Sequence, residues 1–122
     1  GDWSSDVCSS DLRGFDLKII KQMAQSVSIP VIACGGAGHP QDFYKVFKKT
    51  QASAAAAGNY WQFTEHSPVV TKAYLKKKGL NVRLDTYANY DEFNFTRKGR
   101  LDKKSDEYFE KLRFEYLPDE VI

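Results

Sequence analysis

The residue types that suit chemistry in this chain of 122 residues are glycines placed before helix starts, rather than paired carboxylates or clustered histidines. The stretch Cys34-Gly35-Gly36-Ala37-Gly38-His39-Pro40 breaks sharply out of the apolar run Ile29–Ala33. Glycines let a backbone turn tightly and approach a ligand closely, and the first amides of a following helix point partial positive charge at whatever sits there. That chemistry is anion binding, with phosphate the first expectation; the plain alternative is a strand-to-helix turn with no ligand. A second, smaller break of the same kind, Gly58-Asn59, follows the small-residue run Ala52–Ala57. Cys34 reads as a small packed residue rather than a nucleophile, and His39 and His66 as helix-start or surface histidines. Lys76-Lys77-Lys78 reads as a solvated helix end that favours the helix dipole, because no interleaved aromatics or matching basic cluster accompany it.

These residues need strands and helices to hold them. Ile29–Ala33 is apolar and mostly β-branched without alternation, which suits a strand buried on both faces of a parallel sheet. Before it, Phe15, Leu17, Ile19, Ile20, Met23, Ala24 and Val27 recur at mostly helical spacing, and Asp16 stands where it caps or charges the first turn, so a helix over about Asp16–Gln25 is expected. Pro30 ends helix and opens strand. After the glycines, Pro40 suits a first helical turn, and Phe43, Val46 and Phe47 give an apolar face to about Lys49. Alanine favours helix, yet the position of Ala52–Ala57 between a helix and a glycine reads as a tightly packed inner strand. A helix from Glu65 to Lys78 follows, with Thr64 as N-cap and Gly79 as its stop.

The order helix, strand, helix, strand, helix makes a parallel α/β sheet, open or closed into a (βα)8 barrel, with its ligand site at the C-terminal strand ends. Two consecutive strand ends carrying glycine loops match the phosphate site built from the loops after the last two strands of many barrels. A dinucleotide fold fits less well, since the GGAG segment is not a full G-x-G-x-x-G and no acidic residue follows at the expected place.

Composition narrows the rest. The net charge of +2 favours no particular partner, and no apolar run approaches the roughly 20 residues of a membrane helix. Two cysteines, Cys8 and Cys34, lie far apart with no His or Cys at metal-ligand spacing. A reducing, cytoplasmic setting with no metal and no cofactor is therefore expected. The first twelve residues, in which Ser-Ser-Asp occurs twice, have neither helical nor strand periodicity. They resemble a translated sequencing-adapter artefact, the simpler alternative being a disordered polar terminus. On that reading the native gene extends upstream and this chain is a fragment.

Arg13-Gly-Phe-Asp-Leu-Lys-Ile-Ile, Ser28-Ile-Pro-Val-Ile-Ala-Cys-Gly-Gly-Ala-Gly, Ala52-Ser-Ala-Ala-Ala-Ala-Gly-Asn with Phe63, and Lys72-Ala-Tyr-Leu-Lys-Lys-Lys-Gly-Leu-Asn-Val-Arg83 together resemble the C-terminal part of the cyclase subunit of imidazole glycerol phosphate synthase. The resemblance spans residues 13–83. It implies a (βα)8 TIM barrel of which this chain holds the sixth helix and the last two βα units, the 84–122 stretch being a C-terminal extension. It implies a histidine-biosynthesis lyase that cyclises an aminated ribulosyl phosphate with ammonia from a glutaminase (glutamine amidotransferase) partner subunit. It puts Cys34, Gly35 and Gly36 on the phosphate loop after the seventh strand, and Gly58 and Asn59 on the loop after the eighth. No nucleic-acid or membrane partner is implied.

Members of that family usually carry Ser where this chain has Cys34 and an Ala-Ser pair where it has Gly58-Asn59, so backbone donation is retained while hydroxyl contacts are not. Their two catalytic aspartates lie on the first and fifth strands, so no catalytic residue is assigned here and the fragment is expected to bind phosphate without turnover. In 84–122, Tyr87, Tyr90, Phe93 and Phe95 alternate with polar residues around a Lys98-Gly99 turn, and Ser105–Phe114 reads as an amphipathic helix with Tyr108, Phe109 and Leu112 on one side. The tail aromatics are read as a cover for outer helices, a partner surface being the sharper alternative. Such a tail is similar to that of the barrel paralogue of surface-polysaccharide biosynthesis, which works with an amidotransferase in sugar amidation. A non-catalytic subunit that conducts ammonia or scaffolds a partner is the third alternative.

Overall fold

In a computed structural model of the chain, residues 13–64 and 66–102 are described. The expected disordered start at 1–12 and the expected helix at Ser105–Phe114 lie outside those residues. The described chain is mixed α/β, and its central unit is a parallel strand–helix–strand crossover.

Helix α1 (Leu17–Ser26) begins where expected, with the Asp16 carboxylate accepting from the Ile19 amide at 3.1 Å. A side-chain oxygen here satisfies one of the amides a helix start leaves unpaired. Strand β1 is Ile32–Cys34, shorter than the apolar run suggests. Pairing starts at Val31, whose carbonyl accepts from Ser53, and Pro30 has no amide to donate. Helix α2 (Pro40–Lys49) has Pro40 at its start and buries Phe43 and Val46. The alanine run does form a strand, β2 (Ala54–Ala56), paired in parallel with β1 in the register Ile32–Ala54, Ala33–Ala55, Cys34–Ala56.

The next segment departs from expectation. A 3-10 turn, Asn59–Gln62, intervenes, and α3 runs from Ser67 to Lys77 rather than from Glu65. Its N-cap is His66, in the left-handed region at φ 53°, and not Thr64. Pro68 is the reason: proline is tolerated only in a first turn, so the helix starts just before it. The Ser67 hydroxyl donates to the Trp61 carbonyl at 2.7 Å and locks the turn to the helix. The C-terminus ends as the sequence indicates, with Gly79 at φ 87° and the Leu80 and Gly79 amides donating to the Leu75 and Lys76 carbonyls, a left-handed glycine stop.

A central core forms from Phe15, Ile20, Ala33, Phe43, Val46, Tyr60, Tyr74 and Leu75. Burial of β1 on both faces is not found: Ala33 is 1% exposed while Ile32 is 64% exposed. Side chains alternate along a strand, and among the described residues the parallel sheet has two strands, so only one face is covered. Residues 84–102 fold back over α3. There, Ala88, Tyr90, Phe93 and Phe95 pack against Val69, Val70 and Ala73, and Lys77 donates to the Phe93 carbonyl. Of the tail aromatics among the described residues, Tyr90, Phe93 and Phe95 thus cover α3, while Tyr87 is 83% exposed. A short antiparallel hairpin of β3 (Asn94–Phe95) and β4 (Leu101–Asp102) closes this segment.

Candidate functional site

The parallel register sets Cys34 beside Ala56, and neighbouring strands lie about 4.8 Å apart, so both strands deliver their following loops at the same end. Gly35 and Gly36 take φ of 99° and 84°, a conformation that L side chains rarely adopt. Gly36 is buried, Gly35 and Cys34 are half-buried, and the Gly36 carbonyl accepts from the Gly14 amide at 2.7 Å. That bond ties the segment before α1 to the loop. On the second strand, Gly58 and Asn59 are exposed, and a Cβ at Gly58 would meet nothing within 4 Å, so the space beside it is open. The five residues expected at the site are therefore brought to one end of the sheet, Cys34 as the last residue of β1 and the other four just beyond the two strand ends.

Several residues that organise this end escaped the sequence reading. Asp42, in the first turn of α2, accepts from the Gly38 and His39 amides at 2.9 Å each. A carboxylate at this position also suits the positive end of the helix dipole. Asp three residues into a helix that opens His-Pro-Gln was the signal that could have found it. The hairpin tip does the rest. Lys98 gives its carbonyl to the Gln41 amide at 3.1 Å, and Arg100 donates from Nη2 to the Gly38 carbonyl at 2.9 Å. Gly99 lies between them at φ 85°, where an added Cβ would stand 2.6 Å from Pro40 Cβ. Arg100 lies 62 residues from Gly38 in sequence, and no local pattern marks such a pairing.

Electrostatics follow from this crowding. Burial lowers the pKa of His39; the nearby Asp42 carboxylate raises it, and Lys98, Arg100 and Lys45 lower it further. Burial raises the pKa of Tyr60, opposed by its hydrogen bond to Thr71 and then by the charge of Arg100. That hydrogen bond, at 2.6 Å between the two hydroxyls, ties the turn after β2 to α3. Arg100 is thus felt on both sides, by His39 beyond the first loop and by Tyr60 beyond the second. Among the described residues no three His, Cys, Asp or Glu side chains come together as a metal site would require, and no helix is long and apolar enough to cross a membrane.

Compared with known proteins, residues 11–66 match the family described as histidine biosynthesis protein. An imidazole glycerol phosphate synthase subunit HisF of Natranaerobius thermophilus is 52% identical over 72 residues, covering 59% of this chain and 29% of that protein. The protein of the same name from Geobacillus kaustophilus is 44% identical over 71 residues, covering 58% of this chain and 28% of its own length. That of Thermococcus gammatolerans is 44% identical over 72 residues, covering 59% and 28%. The chain therefore spans under a third of the length of the curated relatives it matches.

Proposed function

With residues 11–66 of the histidine biosynthesis protein type, we propose that this chain is part of an imidazole glycerol phosphate synthase cyclase subunit, and that it holds a phosphate of the substrate. The observation that carries the reading is the pair of parallel strands whose adjacent ends open into Gly35-Gly36 and Gly58-Asn59, within residues 11–66 that match the histidine biosynthesis protein family. The chain supplies two βα units of a (βα)8 barrel, with 84–122 as an extension. Amides of the two loops, with Cys34 and Asn59 at their edges, grip the phosphate. Gripping a non-reacting group spends binding energy on orientation: the phosphate fixes the ribulosyl end so that the reacting carbons meet ammonia in one geometry.

The cyclising carboxylates lie on other strands of the whole subunit, so this stretch binds and positions without itself transferring protons. Ammonia arrives from a glutaminase partner subunit, in the cytoplasm. The three relatives above all carry the HisF name, which favours this cyclase over the sugar-amidation and scaffold alternatives.

Titration of the complete subunit with inorganic phosphate tests the reading. Gly36→Asp brings a carboxylate and a strained backbone into the loop, since Gly36 sits at φ 84°, and is expected to weaken phosphate at least tenfold through like-charge repulsion. An unchanged affinity would mean that the glycine loop is only a turn.

A further inference from the structure

The hairpin tip brings a charge to the glycine loop that the loop's own geometry does not need. Arg100 is half-buried, and one of its guanidinium hydrogens goes to the Gly38 carbonyl at 2.9 Å. A neutral donor would serve that carbonyl as well. Among the described residues no carboxylate lies within 4.0 Å of the guanidinium: the ion pairs there are His39 with Asp42 and Arg83 with Asp85. Asp42, the carboxylate of this region, already accepts from the Gly38 and His39 amides. Removing a cation from water without an anion is costly, and a guanidinium has five donors in a planar fork that suits phosphate. Lys98 stands two residues away on the same tip, and its charge, with that of Arg100 and Lys45, reaches His39. Arg100 is thus the cation whose side chain reaches the loop, at Gly38, two residues after Gly36 turns in the left-handed region.

We propose that Arg100, delivered by the β3–β4 hairpin, is a further anion-binding residue of the glycine-loop site, pairing with a phosphate group held by the loop amides. The inference rests on the phosphate reading of that loop. It gives residues 84–102 a part in substrate binding beyond covering α3. Because a guanidinium favours a doubly charged oxyanion over a singly charged one, the hairpin also makes the site select for phosphate dianion.

The experiment is isothermal titration of the complete subunit with inorganic phosphate, at two salt concentrations and at pH values either side of the second ionisation of inorganic phosphate. Three proteins are compared: wild type, Arg100→Gln, which keeps a donor for the Gly38 carbonyl, and Arg100→Lys, which keeps the charge. Loss of the charge-assisted bond should weaken phosphate about tenfold or more in Arg100→Gln. The same variant should flatten the salt dependence and remove the preference for dianion, while Arg100→Lys recovers much of both. Circular dichroism and thermal melts check that each variant is folded; should Arg100→Gln fail to fold, Arg100→Met, which keeps the length without the charge, takes its place and must show the same loss of affinity and flattened salt dependence. Equal affinity and salt dependence in all three would overturn the role of Arg100, leaving it a staple for Gly38. Should wild type itself not bind phosphate, or Gly36→Asp bind like wild type, the phosphate reading falls, and this inference with it.

Discussion

At the scale of single residues, the site end is governed by who satisfies whom. Asp42 occupies the Gly38 and His39 amides, and the Lys98 carbonyl occupies that of Gln41. On the proposed phosphate reading, those amides are already taken, and an anion would be met by amides earlier in the loop and by side-chain charge. His39 reports on that charge. Burial holds its pKa below the ordinary 6.5, with Asp42 opposing and Lys98, Arg100 and Lys45 adding to the lowering. Since the fold favours neutral imidazole, the stabilising contribution is complete above pH 6.5 and is lost as the pH falls through the window beneath it. NMR titration of the His39 ring in the complete subunit should give a midpoint under 6.5, and Arg100→Gln should move it upward. A midpoint at or above 6.5 in the wild type, or no change on replacing Arg100, would contradict the charge arrangement described here.

At the scale of elements, the hairpin tip is fastened to the start of α2 by the Lys98 carbonyl on the Gln41 amide and by Gly99 against Pro40. Gly99→Ala puts a methyl group where Pro40 stands 2.6 Å away, with Tyr74 at 3.1 Å, and forces alanine to φ 85°. Strain of this kind costs of order 1–3 kcal/mol, and the overlap adds to it. The variant should lose the hairpin from α2, and the readout is hydrogen exchange at the Gln41 amide, protected by Lys98 in the wild type and fast once the tip lifts. Unchanged Gln41 protection would show that the hairpin accommodates the methyl without leaving. Sequence made the local elements legible because their signals are local: Asp16 before α1, Pro40 opening α2, Gly79 ending α3. The alanine strand was legible only from its neighbours, as composition alone argued helix. The start of α3 was misjudged because Thr64 is a good cap in isolation, whereas Pro68 fixes where the first turn can stand. The clamp of Arg100 on Gly38 leaves no periodicity to read, since two residues far apart in the chain meet only through tertiary packing.

At the scale of the whole molecule, several large apolar side chains of the described residues are uncovered. Ile29 is 69% exposed and Ile32 64%, and Ile19 and Met23 on α1 and Val27 just after it are each more than a third exposed. Strand β1 has one strand partner, β2, among the described residues, and its other edge has no described strand beside it. In a (βα)8 barrel the preceding strand would close that edge. The 122-residue chain on its own is therefore expected to self-associate or remain loosely packed. Sedimentation velocity across a concentration series should show growing species, and a monodisperse monomer with a cooperative thermal transition would argue against it. The hairpin clamp has a further consequence in the order of synthesis. A ribosome that has completed Gly38 must add 62 more residues before Arg100 exists to hold its carbonyl, a delay of roughly 3–12 s at ordinary elongation rates. Through that interval the hydrogen bonds that hold the glycine loop come from Gly14 and Asp42, and the Arg100 clamp arrives only as one of the later contacts of the growing chain.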